Sequence, residues 1–173
     1  MLSSKTNVET VNFFTKFTAS EQFDKVFKEG MALVEETANY LDGPGRVDAR
    51  VLDRHGAIAY ATESMRLTTR LMQLASWLLL QRAIGAGELS VEEARKESHR
   101  ISLADIGRGH DLAGSASLPD ALKALVERSI MLHGRIQKLD SMISAEAATG
   151  QPVTSPVNDQ IDRLASMLQV ARG

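Results

Sequence analysis

Apolar residues recur along this chain at three- and four-residue steps, and no run alternates in the manner of a strand, so the pattern predicts helices throughout. From Glu21 to Leu41, the positions Phe23, Val26, Phe27, Leu33, Val34, Tyr40 and Leu41 form one stripe, with Ser20 placed to cap the start. The run Asp42, Gly43, Pro44, Gly45 stops this helix, because proline denies a backbone donor and glycine relaxes the chain. A longer helix begins between Asp48 and Ala57 and continues to Ile84, where Gly85 and Gly87 end it. Tyr60, Leu67, Leu71, Leu74 and Leu78 supply its seam, which Met65, Met72, Ala75 and Leu79 are expected to broaden. Between Leu71 and Leu80 apolar residues go most of the way round, so several elements or a second subunit must surround this stretch.

Ser90 followed by Glu93 is a capping-box pattern and opens a shorter helix toward Arg100 or Ile106. Gly107 to Ser117 reads as loop. Ser117 is then expected to cap a second long helix, with Pro119 and Asp120 in its first turn. Here Leu118, Leu122, Leu125, Ser129, Leu132, Ile136, Leu139 and Ile143 alternate steps of four and three, the spacing of bundle packing, with Ser129 the one small polar seam position. The domain reading is an N-terminal arm over 1–20, a helical bundle over 21–143, a flexible linker over 144–156 and a short amphipathic C-terminal segment over 157–173. Val157, Ile161, Leu164 and Leu168 mark the last as a candidate partner-binding tail. The fold class is all-α: an elongated antiparallel three-helix bundle with a short connecting helix and a flexible C-terminal segment. Candidate core or dimer-seam residues are Leu67, Leu71, Leu74, Trp77, Leu78, Leu122, Leu125, Leu132, Ile136 and Leu139.

Composition narrows the function more than the fold. The 173 residues are 43% hydrophobic and 24% charged with net charge −2, which fits one globular domain and gives no overall attraction to nucleic acid or anionic membrane. The absence of cysteine removes disulfides, thiolate catalysis and Cys-ligated metals, and is consistent with a reducing cytoplasm. Residues 1–20 lack the apolar region of a secretory signal, and the Leu71 to Leu80 stretch is far short of the roughly 20 residues that span a bilayer.

Candidate chemistry is sparse. His133 reads as a bundle histidine; His99 and His110 bracket Asp105 and Asp111, a weak metal arrangement without recognised ligand spacing. No Glu-x-x-His pair, His-Glu-x-x-His run, phosphate-binding glycine loop or nucleophile elbow is present. From Ser90 to Leu112 four basic residues stand against five acidic ones, too little positive charge for a DNA-recognition module. Catalytic, cofactor and metal sites are therefore each read as none. Arg66, Arg70 and Arg82 form a candidate charged surface on the central helix, expected to pair with the acids of the first helix, Glu21, Asp24, Glu29, Glu35 and Glu36.

The run Leu71, Met72, Gln73, Leu74, Ala75, Ser76, Trp77, Leu78, Leu79, Leu80, Gln81, Arg82, Ala83, Ile84, followed by Gly87 and Glu88, resembles the RcdA family, the alphaproteobacterial regulators of CtrA degradation. That resemblance implies a cytoplasmic, non-enzymatic three-helix bundle that forms a homodimer. It also implies an adaptor that helps deliver cell-cycle cargo, or a further adaptor, to ClpXP protease carrying a priming adaptor, with recruitment to a cell pole alongside the protease. A structural helical oligomer without a protease link is the alternative, followed by a metal-dependent enzyme or a DNA-binding regulator.

Overall fold

The structure is a computed structural model that describes residues 20–103, 106 and 112–149. Among the described residues five helices and one 3-10 turn follow each other: α1 (Glu21–Asp42), α2 (Pro44–Arg50), α3 (Arg54–Gly85), α4 (Val91–Arg100), the turn Ser115–Ser117 and α5 (Asp120–Thr149). No strand occurs among the described residues.

Side-chain caps set most of the boundaries. Ser20 Oγ accepts from the Phe23 N–H at 3.2 Å to start α1, and Asp53 Oδ1 accepts from the Gly56 N–H at 2.7 Å to start α3. Gly43 closes α1, but Pro44 immediately opens α2, a helix beyond the sequence expectation. Proline at a first helical position forfeits nothing, because its missing N–H would have no partner within the helix. At the end of α3 the N–H groups of Gly87 and Glu88 return to the carbonyls of Ile84 and Ala83, a Schellman closure. The capping box at Ser90 and Glu93 forms as expected, both partners bonding each other's backbone.

Ser117 does not cap the last helix. It belongs to the 3-10 turn, and the first α-helical bond of α5 runs from the Lys123 N–H to the Pro119 carbonyl. Nor does that helix end at Ile143: α5 continues to Thr149, six residues into the stretch read as linker, and the rest of that linker and the tail lie outside the described residues.

The three long helices share one core. On α1 the buried stripe is Phe23, Val26, Gly30, Leu33, Thr37 and Tyr40, an unbroken alternation of three and four that uses two positions, Gly30 and Thr37, not apolar enough to stand out in the sequence. A Cβ on Gly30 would stand 2.5 Å from Leu78 Cδ1 and 3.7 Å from Leu132 Cδ2, so α1 sits close to both other helices here. All ten predicted core residues lie in or against this cluster: Leu139 is partly buried, and the other nine are buried.

Direction matters more than the inventory. Arg128 pairs with Glu36 and Arg135 with Glu29, so α1 and α5 run antiparallel, and the approach of Arg82 to Phe27 and Leu78 to Gly30 shows the same for α1 and α3. Along α3 and α5 the neighbours instead rise together: Gly56 lies beside Ser117, Arg70 bonds Ser129 and Trp77 bonds Asp140. These two helices are therefore parallel, and the bundle is antiparallel only at the faces α1 makes. The crossover over residues 86–119 is long enough to return the chain to its starting end, as short connections between antiparallel neighbours are not.

Candidate functional site

Three of the sequence-predicted charges are placed differently from one another. Arg70 is no surface group: it is 2% exposed, and its Nη1 donates to Ser129 Oγ at 2.9 Å, while Ser129 Oγ donates to the Val126 carbonyl at 2.7 Å. Its position follows from spacing, since Arg70 is three residues past Leu67 and four before Leu74 on the inward seam. The legible signal was Ser129, a small polar residue in an otherwise apolar seam, which makes room for a long polar partner. Arg66 donates to Glu63 Oε1 at 2.8 Å, holding a charge to a carboxylate that is itself only 3% exposed. Arg82 lies 4.8 Å above the centre of the Phe27 ring, within the range of a cation–π contact.

Two of the acids of α1, Glu29 and Glu36, are paired by α5 and not by the central helix as the sequence suggested. Arg128 and Arg135 of α5 each reach both oxygens of a carboxylate, Glu36 and Glu29 respectively, at 2.7 to 3.0 Å. These pairs are half exposed and contribute geometry more than stability.

A second surface was not foreseen. Met65, Met72 and Leu79, expected to widen the core seam of α3, are 71%, 66% and 53% exposed, and Ile58 is exposed with them. These four residues are seven apart, so they form one line along the outer face of the helix, about 32 Å from end to end. Between them lie Ala61, Thr62, Thr68, Thr69, Ala75 and Ser76. The three threonine hydroxyls donate back to the helix, to the carbonyls of Ile58, Ser64 and Met65, and are thereby withdrawn from outside partners. Charges on this stretch of α3 are removed from the line: Glu63 and Arg70 are buried, and Arg66 is bonded to Glu63. The outcome is an uncharged apolar ridge of a kind that marks protein–protein contact sites.

Elsewhere Tyr40 donates to Asp48 Oδ2 at 2.9 Å beside Tyr60. Burial, then the Asp48 carboxylate, hold the Tyr40 phenol far above its ordinary pKa, and burial raises Tyr60 as well. Trp77 is 2% exposed within a single chain and donates to Asp140 Oδ1 at 2.8 Å, so it belongs to the core and not to a subunit seam. His133 is 5% exposed within α5. Among the described residues no three His, Cys, Asp or Glu side chains are grouped to hold a metal, and no helix is long and apolar enough to cross a membrane. His110, Asp105 and Asp111 lie outside the described residues, as do Val157, Ile161, Leu164 and Leu168.

The described residues thus form a helical bundle with a filled core, an exposed apolar ridge on α3 and charge-paired faces between α1 and α5. A protein family described as "Protein of unknown function (DUF1465)" matches residues 14–168. Among solved structures, RcdA from Caulobacter crescentus CB15 is 50% identical, with 75% of this chain and 96% of that one covered and a TM-score of 0.61. No sequence among the curated proteins matches significantly. The chain belongs to the RcdA family.

Proposed function

We propose that this member of the RcdA family is a non-enzymatic adaptor that helps deliver cell-cycle regulatory proteins to primed ClpXP through protein–protein contacts. The observation that carries this reading is the 50% identity to RcdA over nearly the whole of that chain. A bundle whose buried polar groups serve packing, such as Arg70 and Ser129, is consistent with it. The partners under this reading are the priming adaptor, the protease and cell-cycle cargo or a further adaptor, in the cytoplasm and at the cell pole where the protease is recruited.

The reading includes a homodimer, and the ridge on α3 supports it. Ile58 and Leu79, Met65 and Met72, and Thr68 and Thr69 are each equidistant from one midpoint, so the ridge reads nearly the same from both ends. A twofold axis through that midpoint would set Ile58 against the second copy's Leu79 and Met65 against its Met72, the self-complementarity an isologous interface needs. The tail stripe Val157, Ile161, Leu164, Leu168 is the proposed cargo or adaptor contact, leaving from the end of α5.

The test is ATP-dependent degradation of candidate cell-cycle cargo by host ClpXP with its priming adaptor. The full chain should accelerate degradation, and a chain ending at Thr149, or the variant Ile161→Asp with Leu164→Asp, should lose the effect while keeping its helicity. No acceleration across a competent cargo panel would refute the adaptor reading and leave a structural oligomer built on the α3 ridge.

A further inference from the structure

All five phenylalanines of the chain fall within its first 27 residues: Phe13, Phe14 and Phe17 precede α1, and Phe23 and Phe27 lie in its first two turns. The last two, with rings 6.1 Å apart, form the wall of a pocket of about 590 Å³ between the start of α1 and the end of α3. Gly85 and Ala86 bring almost no side chain to the opposite wall, and Arg82 extends across Phe27. Such a volume is ordinary for a ligand or side-chain pocket and holds more than one aromatic ring. Asp24 and Lys28 stand at its edge.

Position and chemistry both identify what fits. The described chain begins at Ser20, whose hydroxyl caps α1 by bonding the Phe23 N–H, about one helical turn before the pocket residues Phe23 and Asp24. Phe17 is three residues before Ser20, a reach of up to about 10 Å. Rings prefer edge-to-face or offset contact with other rings, and the partly exposed Phe27 supplies one. A guanidinium has two faces, of which Phe27 takes one of Arg82, so a further ring can stack on the other. Lys16, beside Phe17, is matched in charge to Asp24.

We propose that the aromatic segment Phe13, Phe14, Phe17 docks in cis into the pocket between the start of α1 and the end of α3, with Arg82 held between Phe27 and an arm ring. The parallel packing of α3 and α5 brings the end of α5 to this same end of the bundle, so a docked arm covers an aromatic surface close to where the tail departs.

The natural absence of cysteine makes a single introduced thiol a clean probe. Ala86→Cys places a thiol on the exposed rim, and its rate of maleimide labelling is compared in the full chain with and without Phe13→Ser, Phe14→Ser and Phe17→Ser; Val51→Cys, 82% exposed at the far end of the bundle and off the α3 ridge, is the control. Labelling at position 86 should rise about fivefold or more on loss of the arm rings, with position 51 and the circular dichroism unchanged. Phe17→Ser alone should give part of the rise. Equal rates with and without the rings would overturn the proposal and leave the pocket open to another protein. Protection that survives the ring substitutions but disappears in a chain ending at Thr149 would assign the pocket to the tail instead. Protection that falls on dilution would assign it to the arm of a second copy.

Discussion

If the α3 ridge joins two copies, replacing its central pair with charge must separate them without unfolding either. Fully burying a methionine or leucine side chain is worth roughly 1.5–3 kcal/mol, and Ile58, Met65, Met72 and Leu79 are 53% to 71% exposed in one chain. Each therefore has roughly 1–1.5 kcal/mol still to gain in a dimer. Met65→Lys with Met72→Lys removes four methionines from a twofold interface, a loss of roughly 4–6 kcal/mol before like-charge repulsion, which weakens association at least about a thousandfold. Sedimentation equilibrium should show a dimer for the parent and a monomer for the variant, with the same helicity by circular dichroism. Pairing direction has its own signature. Antiparallel copies put Met65 against the second copy's Met72, so Met65→Lys with Met72→Glu places opposite charges across the axis and should recover part of the lost affinity. Parallel copies would bring like charges together in both variants. A parent that is monomeric, or a double-lysine variant that stays dimeric, would refute the reasoning, and equal association of the two double variants would refute the antiparallel geometry.

Other expectations follow from the core. Leu132→Asp puts an unpaired charge at a position 1% exposed, a cost of several kcal/mol against a typical total of roughly 5–15; helicity and thermal midpoint should collapse, and unchanged melting would show that the seam is misassigned. Trp77→Phe leaves Asp140 without its indole donor and should cost about 1 kcal/mol in urea unfolding, whereas Trp77→Phe in an Asp140→Asn background should cost less. Both tyrosines of the chain hold their protons above the ordinary value of 10.0 in the fold, so the unfolded chain ionises first as pH rises. Their contribution to stability is complete below that value and is lost as pH climbs through their raised folded values. Urea midpoints should fall more steeply above pH 10 in the parent than in Tyr40→Phe with Tyr60→Phe, and native phenolate absorbance should lag behind that of the unfolded chain; coincident titrations would contradict the burial. Gly114→Ala combines a backbone at φ +88° with a Cβ 2.5 Å from the His55 carbonyl, and should lower the melting midpoint by at least several degrees, with no shift counting against the packing of the 3-10 turn on α3.

How far the sequence reveals this fold depends on what each residue type signals. Leucine at heptad spacing on α5 and the capping box at Ser90 and Glu93 carry their structural meaning locally, so they could be read directly. Gly30 and Thr37 could not, because their burial depends on how closely α3 and α5 approach α1, which no local period encodes. Arg70 misled because arginine usually belongs to the surface, yet its register with Leu67 and Leu74 placed it inward. Met65, Met72 and Leu79 misled in the opposite sense. Their apolar character resembled core, but a line seven residues apart on the far side of a helix that already buries Leu67, Leu71, Leu74 and Leu78 can only face outward. The candidate site therefore emerged from a face left over once the core was filled, and a sequence shows which residues are apolar before it shows which faces remain.

The polar contacts between α3 and α5 bear on function through register. Arg70 to Ser129 and Trp77 to Asp140 join residues 59 and 63 apart in sequence, and Gly56 lies beside Ser117 at an offset between the two. Apolar seams tolerate a slip of one heptad, since leucine replaces leucine; a slip here would separate Arg70 from Ser129 and Trp77 from Asp140 and set a guanidinium against leucine side chains. These polar contacts favour the observed register and the parallel direction of the two long helices. With α5 reversed, its end would lie about 45 Å away, the length of its thirty residues. With α5 parallel, Ser20 at the start of α1, Ala86 after α3 and Thr149 at the close of α5 all belong to one end of the bundle, opposite in direction to the chain that links α1 to α3. The Arg70–Ser129 contact in the middle of the core thereby belongs to a packing that gathers Ser20, Ala86 and Thr149 at one pole of the molecule, away from the end at which α2 links α1 to α3.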